Sequence, residues 1–360
     1  MTFTEPKGAA GAGRGTGAGK GAGEGAEAGP ADEEPRERPG GHERPAWPER
    51  WERPEYVPAG RAWRRFRRDR AAMAALALLA AVTLFALLAP LLEAVTGHPY
   101  DATFPRTGLG PSGQPVGPGA EFWLGADQLG RDVLVRAAYG ARISLLVGVG
   151  SAALAAVAGV AAGLVAGFAG GVVDAVLSRL MDLTLALPYL LVAITLATTF
   201  QISSAGAGLA MTVLVIAVFS FAGLGRVVRG QVLSLKEKPF VEAARALGAS
   251  RTRIMFVDVL PNLAAQVTVL ASLLVPAAMA FEATLSFLGA GVRPPVPSWG
   301  SMLGEGGEVF QTAWWTLAVP GALLLLTTLA FNLLGDGIRA ALGGPGGGGR
   351  ARVPRAARGR

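Results

Sequence analysis

Phe240-Val-Glu-Ala-Ala-Arg-Ala-Leu-Gly-Ala-Ser250, followed by Leu260-Pro261-Asn262, is a short, charged, helix-forming tract set between long apolar runs. A chain that crosses lipid has little reason to keep such a tract between two spans unless something in the aqueous phase docks on it. Pro239 suits the first turn of a helix, because its φ is already fixed and its missing N–H would have gone unpaired there. Gly248 suits the residue just past the helix end, where a left-handed conformation is needed. Between them Phe240, Ala244 and Leu247 share one face at helical spacing, with Glu242 and Arg245 pointing elsewhere. Ser250 can cap a second short helix running through Ile254 and Phe256 towards Pro261. The expectation is two small helices at an angle, presented at a membrane surface.

Working outward, the chain is 51% hydrophobic and only 16% charged over 360 residues, with a mean hydropathy of +0.41. That is too apolar for an ordinary soluble domain and too long for a single span. The net charge of +7 fits either nucleic acid or an anionic membrane surface, and the apolar runs decide for the lipid bilayer and against nucleic acid. With no cysteine and only His42 and His98 as imidazoles, disulfides, thiol catalysis and histidine-built metal sites are excluded. No cofactor is expected.

The fold class read from these patterns is all-α and polytopic, with six transmembrane helices and a disordered N-terminal tail. Residues 1–60 are Gly, Ala, Glu, Pro and Arg with almost no large apolar side chains, too few to offset chain entropy. Gly15-Thr-Gly-Ala-Gly-Lys20 superficially resembles a phosphate-binding loop, but Arg14 and Gly21 stand where that pattern needs Gly and Ser or Thr. A basic cluster over Arg61–Arg70, containing Trp63 and Phe66, leads into a retained first span at 71–95, too long and too far from the start for a cleaved signal. Residues 61–141 comprise that span and an extracytoplasmic segment. Further spans are expected at 142–168, 184–201, 207–226, 264–286 and 313–335, with Pro188 interrupting the third and Asp182 at its edge. Residues 142–336 would be one transmembrane domain, enclosing the charged loop 226–262, and 337–360 a basic cytoplasmic tail.

Charge placement sets the orientation. Seven Lys and Arg residues fall in 226–262 against one, Arg293, in 287–312. The positive-inside rule then puts both termini and the Glu242 loop in the cytoplasm of a multi-pass protein of the cell membrane.

Other constellations have local readings. Gly159, Gly163 and Gly167 form a small-residue stripe that permits close approach of another helix, within this chain or from a neighbouring subunit. Glu282 and Asp182 are the acids nearest to membrane depth. Glu282 is a candidate for the translocation pathway, although capping or snorkelling at a span end explains both. In Leu124-Gly-Ala-Asp-Gln-Leu-Gly-Arg-Asp132, Asp127 reads as a helix N-cap and Arg131 and Asp132 as surface charges. Pro294-Pro295-Val-Pro297-Ser-Trp299-Gly300 reads as a rigid outer loop carrying an interfacial Trp.

Glu242-Ala243-Ala244, then Gly248, then Leu260-Pro261 resemble the "EAA" loop of ABC-importer permeases. Leu124–Asp132, Tyr139-Gly-Ala-Arg-Ile-Ser-Leu-Leu146, Glu282-Ala-Thr-Leu-Ser-Phe-Leu-Gly289 and Leu334-Gly-Asp-Gly-Ile-Arg339 are similar to the dipeptide/oligopeptide branch, and to its C-type permease subunit. Together these tracts run through most of residues 61–342. The resemblance implies the type I permease fold and a chain without an ATP site of its own. It also implies a second permease subunit, as a heterodimer, with two cytoplasmic ATPase subunits and an extracytoplasmic solute-binding protein. Glu242, Ala243, Ala244, Gly248, Leu260 and Pro261 would make the loop that meets the ATPase, and Leu124–Asp132 would lie where the binding protein docks. The cargo would be dipeptides, oligopeptides or nickel chelates. Asp258 departs from the family, which commonly has His or Ile there, and this bears on local packing. The rival reading is an ion-coupled secondary transporter, which calls for internal repeats and ionisable groups at the midplane. Neither is evident.

Overall fold

A computed structural model describes residues 59–200 and 204–342. The Gly/Ala-rich segment, with Gly15–Lys20 and His42, and most of the basic tail expected over 337–360 lie outside the described residues. The described chain is all-α, and its only extended pairings are the isolated bridges Leu109–Pro115 and Ala126–Asp132.

Twelve α-helices follow one another: α1 (Ala59–Arg68), α2 (Arg70–Leu87), α3 (Ala89–Thr96), α4 (Val133–Ala169), α5 (Gly171–Ala186), α6 (Tyr189–Thr199), α7 (Ala205–Leu235), α8 (Pro239–Ala246), α9 (Arg251–Arg253), α10 (Leu260–Phe287), α11 (Trp299–Gly306) and α12 (Trp315–Leu342). A π-helical stretch, Ile254–Val259, joins α9 to α10 without a break. Five helical segments are long and apolar enough to cross a membrane, and α5 with α6 makes a further pair bent by 84°.

Several boundaries differ from the sequence expectation. The first span breaks at Leu88, with Pro90 in the opening turn of α3. The second begins at Val133 rather than 142. The helix tolerates Arg136 and Arg142 because Arg136 pairs with Glu305 and Asp127 and Arg142 reaches the end of α2. Arg142 donates to the carbonyls of Ala86 (2.6 Å) and Leu87 (3.1 Å) at the end of α2, where a helix has carbonyls to spare. At 37 residues, α4 is about 56 Å long, well beyond a hydrocarbon core of about 30 Å, so one end projects into water. The third span starts at Gly171 rather than 184 and turns at Leu187-Pro188, where proline withholds an N–H and pushes the preceding residue towards an extended conformation.

The packing decides whether the bent pair crosses. Along α4, Gly150 faces Val213, Gly159 faces Phe221 and Gly225, and Gly167 faces Arg229 and Val232. Both numbers rise together, so α4 and α7 are parallel. The chain between them must therefore return across the bundle. Consistently, Ala197 near the end of α6 accepts a bond from Arg293 in the loop after α10 (3.1 Å). There are six crossings, and Ala59, Leu342 and α8 lie on one side.

Candidate functional site

The tract quoted first forms α8 and its turn. Pro239 occupies the opening of the helix. At the other end Gly248 has φ +79°, its N–H bonds Arg245 O (2.9 Å), and Ala249 N–H bonds Ala244 O (3.0 Å). That pair of bonds is the Schellman stop, which favours glycine at this position. Ser250 accepts from Arg253 N (3.3 Å) as an N-cap.

Two expectations about this tract are corrected. There is no second separate helix, because residues from Arg251 run through the π stretch into α10 and so into the membrane. Pro261 accounts for the stretch: it offers no N–H to the residue four back, and its ring would press on that carbonyl. The preceding Leu260 N–H bonds five residues back, to Met255 O, a π-bulge of the kind that absorbs such a defect. The apolar face is also divided. Val241 is buried and packs, with Ala244 and Ala249 beside it, among Leu164, Val228, Val232, Ile254 and Leu263 at the ends of α4, α7 and α10. Phe240 (38% exposed) and Leu247 (88% exposed) turn outward, together with Ala243, Glu242 and Arg245. The stripe expected from the sequence, Phe240–Ala244–Leu247, is therefore not the one seated on the bundle; Val241 takes that place. Phe256 and Val257 extend the exposed apolar surface.

Gly159, Gly163 and Gly167 lie against α7, where a Cβ on Gly159 would come within 2.7 Å of Phe221 O and one on Gly167 within 3.0 Å of Arg229 O. Backbone meets backbone here, which only glycine allows. At the inner end of this contact, Lys236 donates to Gly167 O (3.3 Å), and Arg229 on α7 grips Asp174 on α5 with two bonds. Asp182 is exposed and paired with Arg226.

Glu282 is neither a cap nor a snorkelling group. It is fully buried, accepting from Ser144 on α4 (3.1 Å) and Ser286 on its own helix (2.7 Å). Ser144 in turn accepts from the backbone N–H of Trp299 (3.2 Å), so one small node ties α4, α10 and α11 together. Trp299 is buried rather than interfacial, its indole donating to Ala137 O (3.0 Å).

On the side away from α8, the Leu124–Asp132 tract also departs from expectation. Asp132, not Asp127, caps α4, accepting from Leu134 N and Val135 N. Its other oxygen pairs with His98 Nδ1 (2.9 Å), and the His98 ring stacks on Phe122. Asp127 holds its own loop by accepting from Leu129 N and Arg131 N, both at 2.9 Å. Arg131 and Asp132 are buried, not surface charges. Arg131 pairs with Asp127 and Glu305, and Arg136 reaches Glu305 (2.9 Å) and Asp127 (3.4 Å). This two-cation, two-anion cluster joins the outer loop, α4 and α11. Sequence reading missed it, because Glu305 is about 170 residues from its partners. The one local sign was Arg136 standing in an apolar helix.

The model of the family described as "Binding-protein-dependent transport system inner membrane component" matches residues 159–343, half of the chain. The chain belongs to that family. A second match, to the "N-terminal TM domain of oligopeptide transport permease C", covers residues 58–111. Similar relatives of this inner membrane component include the di/tripeptide transport system permease protein DppC of Pseudomonas aeruginosa, 39% identical over 71% of this chain and 82% of the relative. The oligopeptide transport system permease protein OppC of Escherichia coli is 41% identical over 72% and 82%. The glutathione transport system permease protein GsiD of Salmonella paratyphi A is 42% identical over 63% and 73%. The inner membrane component is thus of the dipeptide/oligopeptide ABC permease kind, a multi-pass, all-helical membrane subunit.

Proposed function

We propose that this chain forms one half of a peptide-conducting pathway, moved by ATPase subunits that bind α8 from the cytoplasm. The observation that carries the proposal is the division of labour on α8. Val241 anchors the helix among the ends of three spans, while Phe240, Ala243 and Leu247 are left facing away from the bundle. An amphipathic helix laid in a groove is recognised through such a face, and Glu242 and Arg245 beside it add charge selectivity. Leu260 and Pro261 set the junction through which a load on α8 enters α10. A second permease subunit would complete the pathway, two ATPases would hydrolyse ATP, and an extracytoplasmic binding protein would deliver the peptide. The relatives' names support di- and oligopeptides as the cargo class. Closure of the ATPase pair would then rock the bundle between its two openings.

Glu242→Lys and Gly248→Leu are expected to abolish peptide uptake while membrane insertion stays normal. Wild-type uptake, with ATPase subunits co-purifying at wild-type yield, would refute the docking role. Orientation is testable separately, because the chain has no cysteine of its own. Leu247→Cys should resist an impermeant maleimide in sealed cells, and Ser112→Cys should react. The reverse pattern would overturn the proposal.

A further inference from the structure

The basic cluster at the start of the described chain lies on α1, which packs against α12 and α2, and its geometry is specific. Along α1, Ala62 and Phe66 are buried against α12, with Ala341 among their neighbours and the Phe66 ring lying over Gly337. The other faces carry Arg61, Arg64, Arg67 and Arg68, all exposed. Among the described residues, none of these four guanidinium groups has a carboxylate within ion-pair distance. Trp63 is 55% exposed at the border between the two faces and stacks on Phe66 (5.8 Å, 12°).

The level of α1 relative to the bilayer follows from connectivity. A single residue, Asp69, separates α1 from α2, and Asp69 caps α2 by accepting from Ala71 N and Ala72 N. Since α2 is an apolar span, α1 sits where hydrocarbon gives way to headgroups. An indole at that depth, flanked by arginines whose stems reach along the interface, is the arrangement that anchors an interfacial helix.

We propose that α1 is a binding site for anionic phospholipid, its Arg61–Arg64–Arg67–Arg68 face engaging headgroup phosphates of the leaflet on the α8 side while Trp63 sits among the upper acyl carbons. Guanidinium groups form paired bonds to phosphate, and a juxtamembrane basic side chain favours an anionic surface by about fivefold each. Because Phe66 is seated on α12, lipid engagement holds α1 against the α2–α12 pair.

Trp63 reports directly on this contact. The full-length chain in its assembled complex is reconstituted into vesicles with brominated acyl chains, either on phosphatidylcholine or on phosphatidylglycerol, and quenching of this indole is taken as the difference from Trp63→Phe. The expected result is a preference of roughly fivefold or more for phosphatidylglycerol, weakening as salt screens the interaction. Arg61→Gln/Arg64→Gln/Arg67→Gln/Arg68→Gln should bring the preference close to one, and the corresponding quadruple lysine variant should retain most of it. Equal quenching by the two lipids in the wild type would overturn the proposal, as would a preference that survives the glutamine variant. Absence of quenching by either lipid would also overturn it, because Trp63 would then lie away from the acyl chains. None of these readouts depends on transport or on ATPase docking.

Discussion

Gly163 offers the sharpest quantitative test of how the bundle is held. A Cβ placed there meets Gly225 O closer than any van der Waals contact allows, with Val228 Cβ at 2.8 Å and Arg229 N at 2.9 Å. Two of these three neighbours are backbone atoms of α7 and cannot rotate aside, so Gly163→Ala must push the helices apart. Overpacking of this kind costs about 1–3 kcal/mol. Alanine also gains up to about 1 kcal/mol over glycine in a helix interior, which would blur a single measurement. Gly150→Ala removes that ambiguity: it lies in the same helix, and its Cβ would find only Val213 Cγ1 at 3.8 Å, an ordinary contact. The propensity gain is common to both, so the difference between the variants reads the steric term alone. Equilibrium unfolding in mixed micelles with increasing dodecyl sulfate should place Gly163→Ala below Gly150→Ala by about 1–3 kcal/mol. Equal stabilities, or Gly163→Ala the more stable, would refute the close α4–α7 contact and with it the parallel packing that requires six crossings.

Three further outcomes are expected. Val241→Asp should unfold or destabilise the subunit, because it buries a charge with no partner; Leu247→Asp, on an exposed side chain, should leave thermal stability unchanged while reducing co-purification of the ATPase subunits and uptake. Arg136→Met should cost about 3 kcal/mol by leaving Glu305 and Asp127 sharing one cation, and Arg136→Met/Glu305→Leu should cost less than the two single changes together, as a double-mutant cycle in the same unfolding assay would show. Glu282→Ala should destabilise by about 2–4 kcal/mol, since it strips acceptors from Ser144 and Ser286 and leaves a cavity; Glu282→Gln, which keeps an acceptor in place, should recover most of that loss.

The elements legible in the sequence were those whose cause is local. Pro239, Gly248 and Ser250 specified the start, stop and cap of the α8 tract because each acts through its own backbone or its nearest neighbours. The glycine stripe announced a close helix contact for the same reason, since three missing side chains at one spacing leave a groove whatever fills it. What could not be read depends on distant partners. The start of α4 at Val133 is one such case, since Arg136 is tolerated inside the helix by Glu305 from α11 and Asp127 from the outer loop. Trp299 sits beside three prolines, a sequence typical of an exposed loop, yet Ala137 O takes its indole and Ser144 takes its N–H. The stripe of Phe240, Ala244 and Leu247 is not the one seated on the bundle, because a period of 3.6 residues identifies a face without saying which way it turns.

The seat of α8 and the far end of the bundle are fastened by different physics, and this bears on how a displacement of α8 would act. At the far end, charged pairs among Asp127, Arg131, Arg136 and Glu305, together with indole bonds from Trp299 and Trp315 to backbone carbonyls, tie loop, α4, α11 and α12 through directional bonds. Such bonds are lost abruptly when groups separate and resist shear. Val241 itself is seated among aliphatic side chains, Leu164, Val228, Val232, Ile254, Val259 and Leu263, with the Arg229–Asp174 pair on α7 and α5 beside them. Aliphatic contacts are not directional and let helices slide by small steps without leaving any group unsatisfied. The π stretch over Ile254–Val259, with its looser bonding, lies between that contact and the straight part of α10. A displacement of α8 would therefore be taken up first by sliding at the near end and by flexing at the π stretch, while the far end turns as one piece.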